Sequence, residues 1–184
     1  MRVITGTARG KKLKTLESLD IRPTSDMVKE AIFSVIQFDV PGSSVLDLFA
    51  GSGQLGIEAL SRGADHCVFV DKNRAAYEVI NDNLDNCGLK KNSRVLNMDS
   101  LDYLKVAKKG LDIALLDPPY RMGLIEKALP LLDEKMNDGA IIVCEHEKEL
   151  TLDDSCGRMK LHKRYKYGKI AVTIYKIPMK DEEI

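Results

Sequence analysis

Long uninterrupted apolar runs are absent from this chain of 184 residues. A helix that spans a membrane needs about 18 or more consecutive apolar residues, so we expect no transmembrane segment and no membrane partner. The first residues, MRVITGTARGKKLK, lack the apolar stretch that follows the charges of a secretory signal. We therefore expect a cytoplasmic protein.

Cysteine is scarce, and its spacing does not suit a metal site. The four cysteines are Cys67, Cys87, Cys144 and Cys156, and no two of them stand in a C-x-x-C pair. No histidine completes a familiar zinc spacing either. We expect reduced thiols in a cytosolic protein, and no bound metal.

A net excess of either charge is also missing, because 28 basic residues balance 28 acidic ones. Nucleic-acid binding would therefore need a local basic surface. Residues 1–30 hold seven basic and four acidic residues, and a second basic cluster, KRYKYGK (163–169), contains two tyrosines. Such clusters suit phosphate contact and base stacking. The alternative is that each is only a solvated face.

Apolar runs alternate with helical patterns through the middle of the chain. The runs cover 44–49, 66–71, 94–99, 112–117 and 140–145, and the helical patterns cover 55–62, 73–87, 100–108 and 122–134. Continuous apolar runs between helices are typical of parallel strands that are buried on both faces. Right-handed crossovers then make a doubly wound sheet within one domain.

The two ends of the chain differ from this pattern. The segment MKLHKRYKYGKIAVTIYKI (159–177) predicts two antiparallel strands around Tyr167 and Gly168. Two short apolar runs near the start predict a small β-hairpin within residues 1–20, ahead of a catalytic domain over 21–184. The expected fold is Rossmann-like α/β, with a mostly parallel seven-stranded sheet, a C-terminal antiparallel hairpin and a small N-terminal β-hairpin.

A glycine pattern follows the first predicted strand of the alternation. Gly51, Gly53 and Gly56 form G-x-G-x-x-G between a strand and a helix, and this context predicts a cofactor-binding loop. Asp71 ends the next strand, where its carboxylate suits two ribose hydroxyls. A dinucleotide fits these features, but Asp47 would repel its pyrophosphate. The ammonium of S-adenosylmethionine would be attracted by Asp47, so this cofactor is favoured.

Asp99 stands at the end of the third predicted strand, and Ser100 follows it. A carboxylate at this strand end can accept a hydrogen bond from the adenine amino group of the cofactor. The alternative is that Asp99 and Ser100 only cap the next helix.

The fourth predicted strand ends in Asp117-Pro118-Pro119-Tyr120. The prolines make a rigid turn at the sheet edge where ligands bind in open α/β folds. The Asp117 carboxylate and the Pro118 carbonyl could each accept one N–H of an exocyclic base amine, which aims its lone pair at a methyl donor. Tyr120 could stack on the extruded base. The alternative is a plain turn in which Asp117 caps a helix.

Several segments together resemble the bacterial RsmD methyltransferases. They are LDLFAGSGQLGIEALSRGA, FVDKN, LLDPPY, the opening ITGTARGKKL with RPTSDMVKEAIFSVI, and the terminal YGKIAVTIY. The resemblance covers residues 2 to 176. It implies transfer of a methyl group from S-adenosylmethionine to N2 of a guanine in small-subunit (16S) ribosomal RNA, guanine 966 in the family name.

The resemblance also implies which residues form the sites. The catalytic residues are Asp117, Pro118, Pro119 and Tyr120. The cofactor site is expected to hold Asp47, Phe49, Ala50, Gly51, Gly53, Asp71, Lys72, Asp99, Ser100, Arg22 and Thr24. From the two basic clusters, RNA contact is expected at Arg9, Lys11, Lys12, Lys14, Lys163 and Tyr165. The partner is ribosomal RNA or the small ribosomal subunit, and the protein is expected to be a monomer.

Four other functions remain as alternatives. An adenine-N6 methyltransferase acting on DNA or RNA also uses this tetrapeptide, but its DNA members usually carry a target-recognition region for which there is no room. A protein-glutamine methyltransferase typically has asparagine in place of Asp117. A dinucleotide oxidoreductase would need a residue for hydride transfer, and none stands out. A non-catalytic RNA-binding protein of ribosome assembly would not need both motifs intact. Glu145 and Glu147 are expected to be surface residues near a strand end.

Overall fold

The computed structural model describes residues 1–16 and 26–180. Its helices are α1 (Asp26–Val35), α2 (Gln54–Ser61), α3 (Arg74–Cys87), α4 (Ser100–Val106) and α5 (Leu124–Asp133), with a 3-10 turn at Lys90–Asn92. Its strands are β1 (Ser44–Asp47), β2 (His66–Asp71), β3 (Ser93–Asn97), β4 (Leu111–Leu116), β5 (Met136–Glu147), β6 (Ser155–Cys156), β7 (Met159–Tyr167) and β8 (Ile170–Lys176). None of the helices in the two described ranges could cross a membrane.

The strands form one sheet in the order β3-β2-β1-β4-β5-β8-β7-β6. Strands β1 to β5 are parallel, and β8 and β7 continue the sheet in antiparallel pairing. The predicted parallel half and the C-terminal hairpin are confirmed. The expected count of seven strands is wrong, because Ser155–Cys156 pairs with the start of β7 as an eighth strand in the described chain. A strand of two residues is too short to show an apolar run or an alternation in the sequence.

The sheet is covered on both faces, and each face has its own apolar core. Val45 and Ile113 point to the core that α1, α2 and α3 complete. Their neighbours Leu46 and Ala114 point to the core that α4 and α5 complete. Both cores contain fully buried aliphatic side chains, and each such side chain stabilises the fold by about 1.5–3 kcal/mol. Burial on both faces explains why the central strands are continuously apolar.

The predicted N-terminal β-hairpin is reduced within residues 1–16, the N-terminal arm, to an antiparallel bridge between Arg2 and Lys12, flanked by backbone hydrogen bonds from Val3 to Lys11 and from Leu13 to Met1 at 2.9 and 3.1 Å. The cause is competition for the backbone amides. The N–H groups of Ile4 and Thr5 donate to the buried carboxylate of Glu58 on α2, at 2.8 and 3.0 Å. These amides therefore dock the arm on α2 instead of extending a ladder.

Ser61 on α2 holds the turn of the arm. Its hydroxyl accepts from the Ala8 amide at 2.9 Å and donates to the Thr5 carbonyl at 2.6 Å, and its own carbonyl accepts from the Thr7 amide at 2.8 Å. A Cβ at Gly6 would lie 1.7 Å from the Ser61 carbonyl oxygen, so only glycine allows this approach. The arm is thus fixed to the helix that follows the glycine loop.

Candidate active site

A cavity of about 550 Å³ opens at the carboxyl ends of β1, β2 and β4. Its walls come from the glycine loop, the ends of these strands, the start of α4 and the DPPY turn. They include all four predicted catalytic residues, Asp117 to Tyr120, and eight predicted cofactor residues, namely Asp47, Phe49, Ala50, Gly51, Asp71, Lys72, Asp99 and Ser100. The two motifs therefore share one cavity.

Gly53 and Gly56 shape the loop without lining the cavity. Gly53 precedes α2 with φ 79°, a left-handed conformation that favours glycine. A Cβ on Gly56 would stand 2.3 Å from the ring of Phe69 on β2. Gly56 therefore allows α2 to pack closely on the sheet. Gly53 therefore contributes the turn of the loop, and its contact with a cofactor stays a prediction.

Asp47 lies at the end of β1 and is buried. Its Oδ2 accepts a hydrogen bond from the Gly56 amide at 2.9 Å, in the first turn of α2. Burial raises the pKa of Asp47 to about 8, against the lowering effect of the Gly56 bond and with a smaller contribution from the negative charges of Asp117 and Asp71. A cationic ligand in the cavity would favour the ionised carboxylate.

Asp71 connects the end of β2 to the glycine loop. One carboxylate oxygen, Oδ2, accepts from the Gly51 amide at 2.9 Å, and Oδ1 accepts from the Asn73 amide at 2.8 Å. Both bonds fix the orientation of the carboxylate on the cavity wall. Each oxygen has a second lone pair, which a ligand hydroxyl can use.

Asp99 caps α4, as the simpler of its two interpretations predicted. Its Oδ1 accepts from the amides of Leu101 and Asp102 at 2.9 and 3.1 Å. Both bonds use Oδ1, and Asp99 also lines the cavity, so capping does not preclude a ligand bond at Oδ2. Ser100 is buried and donates to the Leu48 carbonyl at 3.0 Å, which ties α4 to the end of β1.

The DPPY turn begins directly after β4. Pro118 is buried, whereas Asp117 and Tyr120 are half-buried at the cavity wall. The next residue, Arg121, has φ 61°, which is strained for a side chain other than glycine. Its amide donates to Glu147 Oε1 at 3.0 Å, so β5 holds the end of the turn. Strained backbone beside a cavity is typical of a site that needs a rigid geometry.

A second cavity of about 260 Å³ lies beyond this turn and shares Pro118, Pro119 and Tyr120 with the first. Glu145 also lines it and is only 2% exposed, so its prediction as a surface residue is wrong. Glu145 lies on β5 and pairs with Val172 of β8. His146, next along, bonds Glu147 O and Thr173 Oγ1 at 2.8 Å each, and burial lowers its pKa.

Sequence reasoning missed part of the cavity wall. The arm contributes Met1, Thr15 and Leu16, and the remaining wall residues are Ser52, Gln54, Leu55, Leu101, Met122 and Leu124. Among these residues, Gln54 directly follows Gly53 of the glycine motif, and this position is the one sequence signal that could have placed it at the cavity. The predicted cofactor residues Arg22 and Thr24 lie outside the described residues.

The predicted RNA-contact residues fall on two surfaces. Arg9, Lys11, Lys12 and Lys14 are exposed on the arm. Lys14 pairs with Asp82 at 2.7 Å, and its backbone bonds Asn83, whose amide also donates to the Ser52 carbonyl at 2.9 Å. The basic arm is thereby connected to the cofactor loop.

The second surface is on β7. Lys163 is exposed, and Tyr165 is half-buried and stacks on Tyr167, with ring centroids 6.3 Å apart. The tip of the β7–β8 hairpin lies beside the end of β5, because the Lys148 amide donates to the Lys169 carbonyl at 3.1 Å. The end of β5 also holds the DPPY turn, so this surface and the cavity lie at one edge of the sheet.

Known proteins are similar to this chain over almost its whole length. A family model described as Conserved hypothetical protein 95 matches residues 1–176. The chain belongs to this family. An Escherichia coli member, Ribosomal RNA small subunit methyltransferase D, is 37% identical over 95% of this chain and 89% of its own length. The Bacillus subtilis protein YlbH is 41% identical over 96% of this chain and 98% of its own length.

Solved structures agree with the family assignment. The Escherichia coli protein yhhF is 34% identical, with a TM-score of 0.86 over 97% of this chain and 98% of that one. The resemblance to the RsmD methyltransferases is thus confirmed, and the chain is a methyltransferase of this family. A more distant structure, an RNA methyltransferase from Salinibacter ruber with S-adenosylhomocysteine, is 20% identical with a TM-score of 0.66 and shares the fold.

Proposed function

We propose that this protein transfers a methyl group from S-adenosylmethionine to the exocyclic N2 amine of a guanine in small-subunit ribosomal RNA, guanine 966 in the family name. The observation that carries the proposal is that the glycine loop and the DPPY turn line one cavity. A cofactor held by the loop would face an amine held by the turn. Family membership over residues 1–176 supports the same reaction.

The cofactor would lie along the carboxyl ends of β1, β2 and β3. Asp47 would face the ammonium of its amino-acid end, Asp71 the ribose hydroxyls, and Asp99 Oδ2 the adenine amino group. The carboxylates of Asp71 and Asp99 already accept hydrogen bonds from backbone amides, so they are oriented before a ligand arrives. Such preorganisation lowers the entropic cost of binding. Phe49, Ala50, Gly51, Lys72 and Ser100 would complete the wall.

The turn would prepare the amine for attack. The lone pair of an exocyclic amine is delocalised into the base ring, which makes the nitrogen a poor nucleophile. The Asp117 carboxylate and the Pro118 carbonyl would each accept one N–H and direct the lone pair toward the methyl group. The C–S bond breaks as the N–C bond forms, S-adenosylhomocysteine leaves, and the product amine loses a proton to Asp117 or water. The protein contributes mainly positioning, which supplies several kcal/mol.

Ribosomal RNA would lie across the arm and β7. Exposed cations at Arg9, Lys11, Lys12, Lys14 and Lys163 would neutralise phosphates, and Tyr165 would offer a stacking face. We further propose that the protein acts in the cytoplasm as a monomer. Methyl transfer between a sulfonium and an amine needs no Lewis acid, so we expect full activity in the presence of a metal chelator.

The proposal is tested by incubating the protein with isotopically labelled S-adenosylmethionine and one of three substrates: unmodified small-subunit particles, free ribosomal RNA, or DNA. Mass spectrometry of the nucleosides then identifies the product. Label in N2-methylguanosine is the expected result, and the particle and RNA arms show which form is recognised. Label in N6-methyladenine keeps the role of the DPPY turn but overturns the guanine assignment. Absence of label from all three contradicts the proposed function.

A further inference from the structure

One buried polar group in the cavity wall has no partner in the described chain. Gln54 is the first residue of α2, and the residue is only 6% exposed. Its Oε1 atom is buried and accepts no hydrogen bond from residues 1–16 or 26–180. Leaving a buried amide oxygen unpaired costs about 1–3 kcal/mol, and native structures contain few such groups. The cost points to a partner that is bound during function.

The position of Gln54 narrows the identity of that partner. Gln54 lines the cavity together with Asp47. Asp47 Oδ2 accepts from the Gly56 amide at 2.9 Å, so its carboxylate lies at the first helical turn, the turn that Gln54 begins. The residue with the unpaired carbonyl oxygen and the residue with the buried carboxylate therefore line the same cavity and both adjoin the first turn of α2.

Both groups accept hydrogen bonds, and together they suit a cationic N–H donor. An alkylammonium carries three N–H groups and a positive charge, so it can bond the carbonyl and compensate the carboxylate at once. A hydroxyl would bring no charge for Asp47, and a carboxylate would be repelled by it. The terminal torsion of glutamine is soft, so the amide can turn its oxygen to the ligand at little cost.

We propose that Gln54 is a further cofactor-binding residue, whose side-chain carbonyl accepts a hydrogen bond from the ammonium of S-adenosylmethionine beside Asp47. The assignment rests on the proposed cofactor. Gln54 would bind the ligand through one side-chain atom, Oε1, whereas the glycines of the loop contribute only their backbone conformation. Its substitution should affect only ligands that carry the ammonium.

The test is a thermodynamic cycle that combines one substitution in the protein with the removal of one group from the ligand. Calorimetry would measure Kd for S-adenosylhomocysteine and for its analogue in which hydrogen replaces the amino group, with the wild type and Gln54→Met. Methionine has similar length but no strong acceptor. We expect Gln54→Met to weaken S-adenosylhomocysteine binding about ten-fold or more and to leave binding of the deaminated analogue within about two-fold, as for a hydrogen bond to a charged group.

Matched variants separate the interaction from general damage to the fold. Gln37→Met alters the other glutamine, which is exposed and bonds the Ser34 carbonyl, and should change neither Kd. Gln54→Glu keeps an acceptor and should retain binding of S-adenosylhomocysteine. The ligand-free Gln54→Met protein should melt close to the wild type, because the Oε1 atom that it removes accepts no hydrogen bond from the described residues.

The outcomes distinguish the inference from the function on which it rests. Equal Kd values for wild type and Gln54→Met, or an equal loss for both ligands, would overturn the role of Gln54 while the cofactor assignment stands. If the wild type does not bind S-adenosylhomocysteine, the proposed function fails first, and the role of Gln54 fails with it.

Discussion

The carboxylate of Asp47 accepts a hydrogen bond from the backbone amide of Gly56, with 2.9 Å between Oδ2 and the nitrogen. The bond joins the end of β1 to the first turn of α2 and crosses the glycine loop between them. It also keeps a carboxylate buried beside the cavity, where burial raises its pKa to about 8. Asp47 thus connects the local fold to the electrostatics of ligand binding.

Cofactor binding should release a proton from Asp47. Below pH 8 the carboxyl is mostly protonated in the empty cavity, and the ligand ammonium should favour the ionised form. We expect affinity for S-adenosylhomocysteine to rise from pH 6 to about 7.5, until the ligand's own amino group, with an ordinary pKa of about 8, begins to lose its charge. Calorimetry at pH 6.5 in buffers of different ionisation enthalpy measures the release. Asp47→Asn should abolish it, and unchanged release in that variant would contradict this role.

The raised pKa of Asp47 also predicts how stability depends on pH. Above an unfolded pKa of about 4, the unfolded chain loses this proton while the folded protein keeps it up to about pH 8. The contribution of Asp47 to stability is therefore complete below pH 4 and is lost as the pH rises to 8. We expect Asp47→Asn to raise the melting temperature of the ligand-free protein at pH 8 more than at pH 5. The same shift at both pH values would contradict the prediction.

Replacement of Asp117 should separate chemistry from cofactor binding. Asp117→Ala removes the acceptor proposed for the base amine, so we expect methyl transfer to fall by about 10²–10³ or more, as for loss of other preorganised groups. The Kd for S-adenosylmethionine should change less than about three-fold. Asp39→Ala, at an exposed aspartate, serves as the control. Equal loss of binding and transfer would remove Asp117 from the base pocket.

Asp71 should show the opposite behaviour. Asp71→Ala removes the proposed ribose acceptor and also the bond to the Gly51 amide. We expect the Kd for S-adenosylmethionine to rise about ten-fold or more, since hydrogen bonds to charged groups contribute about 1.5–3 kcal/mol. At saturating cofactor most of the transfer rate should return. Calorimetry and initial rates check both parts, and an unchanged Kd would exclude Asp71 from the ribose site.

Gly56 offers a test of packing that is independent of function. Because an added Cβ would lie 2.3 Å from the Phe69 ring, Gly56→Ala should reduce the free energy of unfolding by about 1–3 kcal/mol. The second substitution Phe69→Leu removes part of the ring and should recover some of the loss. Urea unfolding of the single and double variants measures the coupling. Purely additive effects would contradict the proposed contact.

Much of this molecule could be predicted from short sequence patterns. The parallel strands, the glycine loop and the DPPY turn each depend on neighbouring residues, and Asp47 and Asp71 followed from their places at strand ends. The docking of the arm depends on Glu58 and Ser61, which lie more than 50 positions along the chain from their partners. No local pattern reveals such pairings. The same holds for the wall residues Thr15 and Leu16, which reach the cavity only through that docking.

The central claim is tested most directly at the atom that accepts the methyl group. Two small-subunit RNAs would be compared, one with the target guanosine and one with inosine in its place, which lacks only the exocyclic N2 amine. With labelled S-adenosylmethionine, we predict one N2-methylguanosine per molecule in the first RNA and no label in the second. Equal labelling of both RNAs would contradict transfer to N2 and the role assigned to Asp117 and Pro118.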